Sequence, residues 1–202
     1  MLVAISGSQG SGKSTILNKI EEAGHPVIRR KTSRSILQDW GVTLQQVNND
    51  PQLTIRFQEE ITKRKAEDEK DTWRSNLSRA QIHESEQIWF TERTHADLFT
   101  YALVSLGKDN QYSDWINEYY VTCMKYSQAY THVYYLRAGR FNIEADGVRG
   151  ANQHYSRLVD LTMLDTTQQM ILSSRLTVIE TPDLTQRVSM ILTQAESLLK
   201  HY

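Results

Sequence analysis

The segment Gly7-Ser8-Gln9-Gly10-Ser11-Gly12-Lys13-Ser14 constrains this chain more than any other. It follows an apolar run, Met1-Leu2-Val3-Ala4-Ile5, and opens into Thr15-Ile16-Leu17-Asn18-Lys19-Ile20. The order is strand, glycine-rich turn, helix, and the turn meets every fixed position of G-x-x-x-x-G-K-[ST]. Glycines let successive backbone N–H groups turn inward on a polyanion as a nest. The helix that starts at Lys13 aims its positive dipole end at the same point. Lys13 adds a full charge for β- and γ-phosphates, and the Ser14 hydroxyl is a hard oxygen ligand suited to Mg²⁺. At ordinary residue frequencies the pattern arises by chance in roughly one chain in a hundred of this length. Gly7, Gly10, Ser11, Gly12, Lys13, Ser14 and Thr15 are therefore the expected triphosphate-binding residues.

Composition narrows the setting. The 202 residues are 39% hydrophobic with a net charge of −1, which fits one domain spanning 1–202 and excludes a global basic field for nucleic acid. Cys123 is the one cysteine, so no internal disulfide forms, and a cytoplasmic, reducing compartment is expected. Met1 leads straight into the first strand without a visible signal peptide, and no apolar run approaches a membrane span.

Along the chain, helix is expected over 14–23, ended by Gly24, and a short strand over 25–30. Arg29, Arg30, Lys31 and Arg34 fall at that strand's end, where ligands of open parallel sheets sit. Arg34 is the member expected to meet an anionic acceptor. Ser33 is placed to cap a helix reaching Trp40. A long helix starts at Pro51 and carries Phe57-Gln58, with a continuation to about residue 82. The mixed charges from Glu59 to Asp71 read as a solvated face laced with i,i+4 pairs.

The third strand, 87–91, ends in Glu92-Arg93-Thr94. A carboxylate at this tip has a use beside a phosphate-binding loop: it binds Mg²⁺ through water or accepts the proton of an attacking hydroxyl. Helix follows from Ala96, and a tyrosine-rich helix from Ser113 to Tyr130, whose aromatics and Cys123 read as packing residues. Strand 131–136 leads into a connection carrying three arginines and three glycines, Arg137, Arg140, Arg149, Gly139, Gly147 and Gly150. Such length fits a lid, about 138–153, that folds arginines over phosphates. Helix 154–173, strand 175–179 and a final helix capped by Asp183 complete the chain. Alternating strands and helices predict an α/β fold: a five-stranded parallel sheet with helices on both faces.

In this order the motifs resemble the P-loop nucleoside and nucleotide kinases. Glu92-Arg93-Thr94 is similar to the Glu-Arg-Ser motif of deoxyribonucleoside kinases and the Asp-Arg motif of thymidylate kinases. Phe57-Gln58 resembles their Phe-Gln, whose glutamine hydrogen-bonds the base. Asp146-Gly147-Val148-Arg149 resembles the lid of a small-kinase family that includes the nicotinamide riboside kinase domain and phage-encoded kinases. That family also carries residues matching Arg34 and Asp97. The third strand departs from the usual Asp-Arg, and the Arg-Glu-Pro segment of thymidylate kinases is absent.

The resemblance implies phosphoryl transfer from ATP·Mg²⁺. Lys13, Glu92, Arg93, Arg140 and Arg149 form the expected catalytic set, and Ser14 and Glu92 the metal-binding pair. Arg34, Phe57, Gln58 and Asp97 are the expected acceptor-binding residues. The acceptor is a (deoxy)nucleoside monophosphate or nucleoside; the alternative is a hydroxymethylated base within DNA. A homodimer is compatible with the pattern. An NTP-driven switch or ATPase is the rival class, set against the lack of a clear aspartate after an apolar strand.

Overall fold

The computed structural model describes residues 1–28, 33–79, 87–138 and 152–200. Five strands form one sheet in the order β2-β3-β1-β4-β5. They are β1 (Leu2–Ser6), β2 (Val27–Ile28), β3 (Trp89–Glu92), β4 (His132–Leu136) and β5 (Leu176–Ile179), and every pairing is parallel. β1 lies between β3 and β4, with Ile5 opposite Glu92 on one edge and Ser6 opposite Tyr135 on the other. Buried on both faces, β1 and β4 read as unbroken apolar runs rather than alternating ones.

Helices α1 (Lys13–Glu22) and α8 (Leu184–Leu199) cover one face of the sheet. Ile16, Leu17, Ile20, Ile191 and Ala195 pack there on Val3, Ile5, Phe90 and Tyr134. Toward the other side lie α4 (Pro51–Arg79), α5 (His95–Leu106), α6 (Ser113–Ser127) and α7 (Gln153–Met170). Short helices α2 (Ser33–Trp40) and α3 (Leu44–Asn49) close over α4 through Ile36, Val47, Phe57 and Ile61. The α/β architecture expected from the sequence is the one found.

α3 went unread in the sequence, although its start is encoded. Thr43 accepts from the Gln46 amide, and the Gln46 side chain returns to the Thr43 amide. That reciprocal box, T-x-x-Q, is a helix-start signal. The caps at Thr94 and Asp183 work similarly, each accepting from the amide three residues on. Cys123 is fully buried between α5 and α6, and burial pushes its thiol up to about 12. Tyr119 and Tyr130 are core residues, whereas Tyr126 is 38% exposed.

One reading requires correction. The charge run on α4 is not wholly a solvated face. Lys65 and Glu69 point into the protein, and their side chains are 0% and 7% exposed. The Lys65 ammonium sits 2.5 Å from Glu69 Oε1 and also donates to Thr91 Oγ1 and the Glu92 carbonyl. Thr91 and Tyr130 donate to the Glu69 carboxylate, and His95 Nε2 lies 3.5 Å from it. Helical period alone assigned these residues outward. The polar Thr91 on an otherwise apolar strand and the buried tyrosine and histidine give the pair somewhere to go.

Burial works against the Glu69 charge, but Lys65 and His95 outweigh it and hold the carboxyl down to about 2, from an ordinary 4.5. A depressed carboxyl contributes stability that is full above 4.5 and is lost as pH falls toward 2. The urea-midpoint difference between the wild type and Glu69→Gln should therefore narrow across that interval. At neutral pH, Lys65→Met leaves a buried carboxylate uncompensated and should cost about 3–5 kcal/mol, read by urea unfolding.

Candidate active site

The turn after β1 needs glycine for steric reasons. Gly7 has φ 135°, and a Cβ there would lie 2.5 Å from the Leu136 carbonyl oxygen of β4. Gly12, at φ 90°, is the left-handed N-cap of α1, so the chain can turn straight from loop into helix. Lys13 is buried and lies across the loop, its Nζ donating to the Ser8 carbonyl at 2.8 Å. Ser14 and Thr15 are exposed at the first turn of α1. The loop thus runs directly into the N-terminus of α1, with Lys13 folded back across it.

Two anchors behind the loop had no counterpart in the sequence reading. Asp160 of α7 is buried and accepts from the Tyr135 hydroxyl at 3.0 Å, the Ala138 amide at 3.1 Å and Ser8 Oγ at 3.5 Å. Arg137 Nε lies 3.2 Å from its other oxygen. Burial, then the Asp160 charge, pushes the Tyr135 hydroxyl far up, so it stays a donor. From the opposite side the buried Arg187 of α8 donates from Nη1 to the Ser11 carbonyl at 2.8 Å. Its Nε donates to the Thr181 carbonyl at 2.5 Å, tying the turn after β5 to the same loop.

The β3 tip lies beside the loop because Glu92 pairs with Ile5. Arg93 has φ 65°, an uncommon value for a residue with a side chain, and its amide donates to the Ile5 carbonyl at 2.9 Å. Its guanidinium stacks over the Tyr101 ring at 5.2 Å and donates to the Tyr101 hydroxyl at 3.3 Å. Burial opposes that charge, but Tyr101, Asp97 and Glu92 outweigh it and raise the arginine above its ordinary value. Asp97 is fully buried on the first turn of α5. Its Oδ1 accepts from Ser6 Oγ at 2.6 Å and Thr94 Oγ1 at 2.7 Å, bolting the end of β1 to the β3 tip.

A cavity of about 300 Å³ opens from the loop at Ser8 and Gln9. Arg93, Tyr101, Phe57, Gln58, Ile61 and Val47 also line it. Phe57 packs edge-on to Trp40 while showing one side to the cavity. The backbone carbonyl of Gln58 accepts from the Tyr119 hydroxyl at 3.1 Å, and that hydroxyl in turn pairs with Thr62. Of the expected acceptor residues, Phe57 and Gln58 line this cavity. Asp97 lies buried under it, and Arg34 is exposed on α2, away from the lining. Arg29, Arg30, Lys31, Arg140, Arg149 and most of the expected lid fall outside the described residues.

The donor set suits Mg²⁺: Ser14 offers a hydroxyl and Glu92 a carboxylate, both hard oxygens, beside a phosphate-binding loop. Among the described residues no cluster of three or more His, Cys, Asp or Glu could hold a metal alone. No described helix is long and apolar enough to cross a membrane.

A family model described as an AAA domain matches residues 2–187, and the chain belongs to that family. None of the curated proteins matches it in sequence. The fold is shared with solved kinases. The M. mycoides deoxyadenosine kinase with bound dATP superposes at a TM-score of 0.65 and 16% identity, over 96% of this chain and 98% of that one. The same kinase with products dCMP and dCDP gives 0.66 and 15%, over 98% and 100%. The NadR protein in complex with NR gives 0.64 and 11%, over 94% of this chain and half of that one. The P-loop kinase resemblance of the motifs and the fold of these structures agree.

The Gly7 contact yields a prediction. Gly7→Ala must displace the loop or β4, and should lower stability by about 1–3 kcal/mol, measured by urea unfolding. Gly24→Ala has a similar left-handed φ but nothing within 4 Å of its Cβ, so it controls for backbone strain alone.

Proposed function

We propose that the chain is an ATP-dependent kinase that transfers the γ-phosphoryl group to a (deoxy)nucleoside monophosphate or a nucleoside. One observation carries the reading: a single cavity is lined by Ser8 and Gln9 of the phosphate-binding loop, by Arg93 of the β3 tip, and by Phe57 and Gln58. A nucleoside fits about 300 Å³, and the acceptor's reacting end would meet the donor loop. The bound dATP and dCMP of the deoxyadenosine kinase and the NR of NadR are ligands of those proteins, and they support the same class here.

In this mechanism Lys13 and the loop amides hold the β- and γ-phosphates. Ser14 and Glu92 would hold Mg²⁺, which would supply neutralisation of phosphate charge. Glu92 is also placed to accept the proton of an attacking hydroxyl where the acceptor is a nucleoside. Arg93 faces the developing charge on the transferred group. Arg140 and Arg149 supply further charge from the lid, and Arg34 meets the acceptor's anionic end as the lid closes. Gln58 hydrogen-bonds the base and Phe57 packs on it. Transfer is in line, and catalysis comes from positioning and electrostatics rather than covalent chemistry.

ADP release screened across nucleosides, their monophosphates and hydroxymethylated DNA tests the proposal. Activity should appear with a nucleoside or nucleotide; ADP release that needs no acceptor would instead mark an ATPase. Lys13→Ala should lower kcat by at least about 100-fold while the protein keeps its melting temperature. Gln58→Ala should raise the acceptor KM by about tenfold and leave the ATP KM unchanged.

A further inference from the structure

We propose that Lys65 and Glu69 are positioning residues for phosphoryl transfer, because the ion pair they form behind β3 fixes the conformation of the Glu92–Arg93 tip. The inference rests on the kinase reading above. It starts from one peptide unit. The Glu92 carbonyl accepts from Lys65 Nζ at 3.2 Å, and the Arg93 amide on the same unit donates to the Ile5 carbonyl at 2.9 Å. Both polar atoms of that peptide are held, one from α4 and one from β1. The next bond carries the left-handed φ of 65° at Arg93. A residue with a Cβ keeps such a value only where its surroundings over-determine it.

The clamp sets two side chains at once, since Glu92 and Arg93 flank the fixed peptide. Glu69 in turn fixes Lys65. Its carboxylate takes the Lys65 ammonium at 2.5 Å, the Thr91 hydroxyl at 2.8 Å and the Tyr130 hydroxyl at 3.2 Å. His95 and Thr91 belong to the same α5–β3 corner, so the ammonium is aimed from several elements rather than from its own flexible stem. Holding α4 against the sheet does not need charge. Apolar residues of similar volume generally do so at no loss of stability. What they cannot do is donate to the Glu92 carbonyl.

That contrast supplies the test. The double variant Lys65→Met/Glu69→Leu removes the charges together and keeps the volume. Its melting temperature should stay near the wild type's, and the ATP KM should remain within about twofold. Its kcat should nevertheless fall about 10–100-fold through misplacement of the tip. Exchange of the Arg93 amide, followed by NMR, should speed up by about tenfold or more. A folded double variant with wild-type kcat and wild-type Arg93 exchange overturns the inference. Should the double variant not fold, Thr91→Val gives the same reading with the ion pair kept: a several-fold loss of kcat supports the clamp, and unchanged kcat and exchange overturn it. If the wild type transfers no phosphoryl group, the kinase reading fails, and Arg93 amide exchange alone still decides whether the clamp exists.

Discussion

The register of β1 is the constraint on which the site depends. Its last residues pair with β3 on one side and β4 on the other, Ile5 with Glu92 and Ser6 with Tyr135. All strands run parallel, so three strand ends open on one edge of the sheet. The loop that leaves β1 there meets the acidic tip of β3 and the polar exit of β4 without any further device. A shift of one residue would turn Ile5 and Glu92 to opposite faces and separate the loop from its carboxylate.

Register brings the loop to the right edge, but it does not hold a glycine-rich segment still. That task falls to side chains from the far half of the chain. Asp160 gathers Ser8, Tyr135 and Ala138, while Arg187 grips the Ser11 carbonyl and the Thr181 carbonyl. Asp97 adds a third bolt between Ser6 and Thr94. Each is a buried charge offered to several hydrogen-bonding partners, the condition under which burial of charge is tolerated. A nest that is fixed before a phosphate arrives loses little further entropy on binding.

These anchors mark the limit of what was legible in the sequence. The loop, the tip at Glu92-Arg93, the pair Phe57-Gln58 and the strand–helix alternation were readable because each is a local pattern with a local physical cause. Asp160 and Arg187 are not local: their partners lie 152 and 176 residues away. Nothing in the neighbourhood of either distinguishes a loop brace from a helix-surface charge. Lys65 and Glu69 failed in the opposite way. Their i,i+4 spacing gave a correct pairing, but spacing says nothing about which way the pair faces. Only the polar Thr91 inside an apolar strand hinted at a buried partner. The α3 start at Thr43-x-x-Gln46 was a signal present and missed.

The electrostatic shape of the cavity follows from the same anchors. Among its described lining residues Arg93 is the ionised one. The other lining residues are uncharged, among them Phe57, Gln58, Val47 and Ile61. The Arg93 guanidinium rests on the Tyr101 ring and hydroxyl. An aromatic face steadies the group while leaving its charge uncancelled, which a direct ion pair with Glu92 would not.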